Sequence, residues 1–252
     1  MNSRHEMRHD LLWLTASGWQ ALMAQGPDLA DLARWRDADR PLVVRRSEPG
    51  LPPGAISIGL PLPPAADGSK RRFGGHVQPD QVARRQRPLT LAQVAASAPP
   101  HWQRAIAALL ADTPADPRAG AMADVMVDSP PLRCFGSLAM QAVTGLPYLT
   151  DASDLDLLLQ PRSVAQLDAG LALLRRHRDH LPLDGEIVFP HGAAVSWKEW
   201  LAAPAGGDAR LLVKSMDGVA LVPRATLLAS LHPAHAAEPA DTADKLARPP
   251  AP

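Results

Sequence analysis

Two aspartates stand two residues apart in the segment Asp154-Leu155-Asp156-Leu157-Leu158-Leu159. The leucines predict a strand, and strand side chains alternate faces. Asp154 and Asp156 then share one face, while Leu155 and Leu157 point to the other. Packing gives no reason to set two repelling carboxylates side by side. A hard divalent cation does, because it prefers oxygen ligands. Two such ions about 3.5–4 Å apart can clamp the attacking and leaving oxygens of a phosphoryl transfer. The expected metal is Mg2+ or Mn2+. An isolated Asp-x-Asp is also commonly just a solvated strand edge, so the pair needs support from its surroundings.

That support lies upstream, where Gly136-Ser137 follows a short apolar stretch and opens a helix. Glycine lets a phosphate approach the backbone, and a helix N-terminus offers free N–H groups with the positive end of its dipole. The Ser137 hydroxyl can add a hydrogen bond. Gly136 and Ser137 are therefore candidate phosphate holders, and Asp154 and Asp156 candidate catalytic and metal-binding residues. A third carboxylate is expected on the next strand. Asp184 and Glu186 share a facing there; Glu186, embedded in an apolar run, is the preferred choice for catalysis and metal binding. The basic clusters Arg45-Arg46 and Lys70-Arg71-Arg72, and Lys214 in an apolar strand, are candidate phosphate contacts, since Arg matches phosphate geometry. As residues of exposed strands and loops they would be unremarkable.

The elements that must position these residues follow from periodicity and turn residues. The sequence predicts a helix over 28–36, strands over 41–46 and 55–60, and helices over 89–98 and 102–112 divided by Pro99-Pro100. Strands are expected over 123–127, 132–135 and 154–159, and a helix over 138–144 with Gly145 as its C-terminal cap. Val164 to Arg178 reads as an amphipathic helix with Val164, Leu167, Leu171 and Leu174 inward. A strand over 185–189, a helical turn at 197–202, a strand pair at 210–214 and 218–222, and a helix over 225–231 complete the pattern. The fold class is α+β: a small N-terminal α/β module (1–80), a helical connection (81–120), and a mixed-sheet domain flanked by helices (121–235) that carries the Asp pair. The Ala/Pro-rich tail (236–252) has no apolar periodicity and is expected to be disordered.

Composition narrows the function classes. The chain has 252 residues, 46% apolar and 21% charged, with formal net charge zero. A chain with no net charge has no global field to hold nucleic acid or an anionic membrane. No apolar run reaches the roughly 18 residues a membrane helix needs. The polar start and the single cysteine, Cys134, fit a cytoplasmic protein. Cys134 reads as a buried small hydrophobe, and the six tryptophans as core or interface.

The order strand, Gly-Ser, helix, strand with Asp-x-Asp, later carboxylate resembles the polymerase-β-like nucleotidyltransferases. The stretch 138–153 is somewhat long for that superfamily, and the loop Gly145-Leu146-Pro147-Tyr148 accounts for the excess. A closer resemblance covers most of the chain. RHDLLWL (8–14), LPPGAISIGLPLP (51–63), RCFGSLAMQAVTGLPYLTDASDLDLLL (133–159), LDGEIVFPHGAAVSWKEW (183–200) and LLVKSMDGVALV (211–222) are similar to the malonate decarboxylase holo-acyl-carrier-protein synthases, also called phosphoribosyl-dephospho-CoA transferases. That resemblance implies transfer of 2'-(5''-triphosphoribosyl)-3'-dephospho-CoA onto a serine of the acyl-carrier subunit of malonate decarboxylase, with release of pyrophosphate. It also implies that Asp154 and Asp156 are the catalytic pair. The core motif alone also allows another small nucleotidyltransferase, such as an adenylyltransferase acting on a protein or an antibiotic. A binding protein with a decayed transferase fold is a third reading, against which the intact Gly-Ser and Asp-x-Asp stand.

Overall fold

The computed structural model describes residues 7–26, 29–65, 67–69, 71–113, 132–206 and 208–231. Lys70, the strand expected at 123–127 and the tail at 236–252 lie outside the described residues. Two sheets carry the architecture. The first has five antiparallel strands in the order β4-β3-β2-β1-β5, with β1 Leu11–Leu14, β2 Leu42–Val44, β3 Ile56–Pro61, β4 Arg72–Val77 and β5 Val82–Gln86. Helices α1 (Ala16–Met23) and α2 (Leu29–Asp37) cover one of its faces, with Leu22, Leu32 and Trp35 buried against Leu12, Leu42, Ile58 and Leu60.

β1 is buried at all four positions, Leu11 to Leu14. The reason is that its second face meets the other half of the chain. Leu11 and Trp13 join a cluster with Met140 and Tyr148, and Val143 and Leu146 pack beside it. Tyr148 Oη donates to Pro61 O at 2.6 Å, and Ser47 N to Met216 O at 2.8 Å. The Gly145–Tyr148 loop is thus a docking element for the first sheet.

The second sheet has six strands in the order β11-β10-β9-β8-β7-β6. They are β6 Arg133–Cys134, β7 Leu155–Leu159, β8 Leu183–Val188, β9 Ala194–Ser196, β10 Arg210–Lys214 and β11 Val219–Pro223. Only β7 and β8 run parallel. The crossover between them is α6 (Val164–His177), the expected solution for a parallel pair. α6 forms because Leu167, Leu171 and Leu174 recur on one face and Ser163 caps it, accepting from Gln166 N at 3.2 Å. α3 (Leu91–Val94), α4 (Pro100–Ala111), α5 (Gly136–Thr144), α7 (Trp197–Ala202) and α8 (Arg224–Ala229) build the rest of this half. Val94, Trp102, Ile106 and Leu109 lie in the same core as Leu155, Leu157, Leu159 and Ile187. The helices around 91–111 therefore pack as part of the second half, and β5 carries the first sheet past residue 80 to Gln86.

All six tryptophans are buried. Cys134 is fully buried, and burial together with the nearby Asp156 charge pushes its thiol upward, so it is no nucleophile. Among the described residues no helix is long and apolar enough to cross a membrane.

Candidate active site

The alternation expected of the Asp-x-Asp strand is present. Leu155, Leu157 and Leu159 face the core, Asp156 is half-buried on the opposite face, and Asp154 is exposed just before β7 begins. The end of β6 is tied to this strand by Phe135 N, which donates to Asp156 O at 3.1 Å. α5 starts at the next residue. Gly136 has φ 69°, and a Cβ added there would lie 2.0 Å from Asp156 Oδ2. The carboxylate therefore rests directly on the glycine at the head of α5. Phe135, at the N-cap, has no polar side chain to satisfy the first amides of the helix. The Asp156 carboxylate thus lies against the head of α5, where the positive end of the helix dipole favours negative charge.

Gly136 gives a direct test. In a Gly136→Ala variant the methyl group must displace Asp156, and the left-handed backbone costs a further 1–2 kcal/mol or so. We expect a lower melting temperature and a much larger loss of transfer rate, measured on the same preparation. A variant that melts early but transfers normally would separate the glycine from the chemistry.

β8 brings Asp184 into register with Asp156, and Glu186 into register with Leu158. In a parallel pair, side chains in register share a face, so Asp184 is the carboxylate beside the Asp pair. Gly185 between them has φ 133°, and a Cβ there would meet Leu157 O at 1.9 Å. Only glycine lets the two strands close at this point. Asp184 Oδ1 accepts from Gly185 N at 2.7 Å, and Oδ2 lies 3.6 Å from Lys198 Nζ.

Glu186 has other work. It is buried at 6% exposure, and its Oε1 lies 3.1 Å from both Arg8 Nη2 and Lys214 Nζ. Its Oε2 stands 3.5 Å from His9 Nε2, too long for a good hydrogen bond. Burial alone would raise this carboxyl; contact with His9 and the charge of Arg8 outweigh it and hold the pKa at about 2. Burial lowers the pKa of His9, favouring a neutral ring. A carboxylate already neutralised by Arg8 and Lys214 is a poor metal ligand. The structure thus sets Gly136, followed by Ser137 on α5, against Asp156, with Asp184 in register on β8 and Asp154 exposed just before β7, while Glu186 and Lys214 form a separate ionic group with Arg8 and His9. Arg45 also lies elsewhere: it pairs with Glu48 at 2.8 Å and crosses Gly59 and Gly74 of the first sheet. Arg46 follows it and is exposed, and Arg71 pairs with Asp31 at 2.9 Å.

Among the described residues no group of three or more His, Cys, Asp and Glu side chains is disposed to hold a metal. Asp156, with Asp154 two residues before it, offers carboxylate oxygen, the donor type that Mg2+ prefers. That ion is usually held by one or two carboxylates plus water and substrate phosphate rather than by a protein cage.

On the same face, beyond Leu158 and Glu186, a cleft of about 900 Å³ opens between the two halves. Arg8, Arg85, Arg87, Arg162 and His191 line it. None of these was singled out in the sequence. The signal available was the run Arg84-Arg85-Gln86-Arg87, which is basic in a neutral chain but lacks the apolar alternation that marks a strand.

The sequence family of the N-terminal domain of phosphoribosyl-dephospho-CoA transferase MdcG matches residues 7–88, and that of its C-terminal domain matches residues 90–225. The chain belongs to this family. A phosphoribosyl-dephospho-CoA transferase from Xanthomonas campestris pv. campestris (strain 8004) is 38% identical over 222 residues, covering 87% of this chain and 95% of the relative. Another of that name, from Bradyrhizobium diazoefficiens, is 38% identical over 86% of this chain and 90% of its own length. No solved structure matches the chain significantly. Membership of the phosphoribosyl-dephospho-CoA transferase family makes the protein a transferase. The two matched regions meet where β5 ends and the segment leading into α3 begins.

Proposed function

We propose that this transferase moves the triphosphoribosyl-dephospho-CoA group onto a serine of the apo acyl-carrier protein of malonate decarboxylase, in the cytoplasm, releasing pyrophosphate. The observation that carries the reading is the seating of Asp156 on Gly136 at the head of α5, in a chain of this family. In this mechanism the carrier serine oxygen attacks the α-phosphorus. The bond from that phosphorus to the bridging oxygen of the β-phosphate breaks, and pyrophosphate leaves. The first amides of α5 and the Ser137 hydroxyl hold phosphate oxygens as charge shifts between them. We assign the serine proton to Asp184, supported by its register with Asp156. A Mg2+ or Mn2+ ion held by Asp154 and Asp156 would neutralise phosphate charge and acidify the serine hydroxyl. Asp156 on β7 and Asp154 just before it also orient the reacting groups.

Pyrophosphate release tests the reading. With enzyme, Mg2+, donor and apo carrier, one pyrophosphate per carrier is expected, and none when the carrier serine is replaced by alanine. Release from ATP with equal efficiency, leaving an adenylylated protein, would favour an adenylyltransferase instead.

A further inference from the structure

We propose that the cleft between the two sheets is the subsite that grips a phosphoanhydride arm of the donor. The inference rests on the transferase reading above and adds where the substrate's charge is held. The cleft is lined by four arginines and one carboxylate, in a chain whose formal net charge is zero. That carboxylate is Glu186, already neutralised by Arg8 and Lys214. Arg85 is balanced by Asp10 at 2.5 Å, which leaves Arg87 and Arg162 as the surplus charge. Among the described residues the Arg87 side chain hydrogen-bonds only the neutral Gln160 Oε1, at 2.5 Å. The Arg162 side chain makes no hydrogen bond or ion pair among the described residues. α6 begins two residues after Arg162, so the positive end of its dipole faces the same wall.

Position agrees with charge. The cleft starts at Leu158 and Glu186, two residues along β7 and β8 from Asp156 and Asp184. Two strand residues span roughly 6.7 Å. A donor with its α-phosphorus at Asp156 therefore reaches the cleft with its next charged group. Guanidinium groups on two walls match a diphosphate, whose oxygens accept paired N–H donors. The donor carries this chemistry twice, in the triphosphate and in the CoA pyrophosphate.

The test is calorimetric titration of the full chain with inorganic pyrophosphate and, separately, with 3'-dephospho-CoA. Arg87 and Arg162 are both exposed, so an Arg87→Gln/Arg162→Gln variant keeps the fold, which its melting temperature checks. We expect that variant to lose at least about tenfold in affinity, with wild-type binding weakening as salt is added. Arg175→Gln, on the exposed side of α6, should bind as wild type. Loss for pyrophosphate assigns the cleft to the triphosphate arm; loss for 3'-dephospho-CoA assigns it to the CoA arm. Wild-type affinity of the double variant for both ligands overturns the proposal, as does a wild-type chain that binds neither. If the cleft proposal fails while wild type still modifies the carrier, the transferase reading stands. If diphosphates bind through these arginines and the carrier is never modified, the cleft stands and that reading falls.

Discussion

Asp156→Asn is expected to abolish transfer while leaving the chain folded. Asp156 touches both parts of the proposed phosphate site: its carboxylate sits over Gly136 and its backbone oxygen anchors Phe135. The substitution preserves shape and removes the charge that would hold a cation against the transferring phosphate. Losing such a ligand should cost several kcal/mol in the transition state, about a thousandfold or more in single-turnover rate. Asp154→Asn should behave alike, with a smaller loss if its exposed position makes it the weaker ligand. Asp184→Asn should lower the rate by the share due to general-base catalysis, typically 10²–10⁴-fold. A folded Asp156→Asn protein that turns over at a near-wild-type rate would remove the pair from the chemistry.

Glu186 is expected to govern stability, in a way that pH reveals. Its folded pKa of about 2 lies below the ordinary 4.5. A depressed carboxyl means that the unfolded chain binds more protons across that interval, so stability rises with pH through it. The contribution is complete above about pH 4.5 and is lost as pH falls towards 2. At 1.36 kcal/mol per unit it amounts to roughly 3 kcal/mol. Glu186→Ala should cost a similar amount at neutral pH, because it leaves the half-buried Arg8 charge without its partner. Glu186→Gln should flatten the acid limb of the stability curve. Denaturant melts between pH 2 and 7 check both. An acid limb as steep in the glutamine variant as in wild type would mean that other carboxylates set it. Because Arg8 comes from the first half and Glu186 from the second, this pair also helps fix how the halves sit on each other.

The contrast between Asp156 and Glu186 shows where sequence reading succeeds and where it stops. Alternation in DLDLLL is local, so the placing of Asp156 opposite the core-facing Leu155 and Leu157 was legible. So were the helix start at Gly136, the cap at Gly145, whose φ is 68°, and the apolar face of α6. The partners of Glu186 were not legible, because Arg8 and Lys214 arrive from 178 and 28 residues away. An apolar strand with one glutamate looks the same whether the charge meets a metal or an arginine. Asp184 rather than Glu186 stands in register with Asp156, and register depends on β7–β8 pairing rather than composition. β4 and β5 were missed for a related reason. RFGGHV and VARRQ lack apolar alternation, since Arg45 lies across Gly74 in the first and arginines fill the second. β1 went unpredicted because a strand buried on both faces loses its period.

The most direct measurement is intact-mass and peptide mass spectrometry of the apo carrier after incubation with the enzyme, Mg2+ and triphosphoribosyl-dephospho-CoA. The account predicts a mass gain equal to the donor less pyrophosphate, on one serine through a phosphodiester, present with wild type and absent with Asp156→Asn. A carrier that keeps its apo mass in the presence of active, folded wild-type enzyme, or one that gains the group equally with Asp156→Asn, would contradict it.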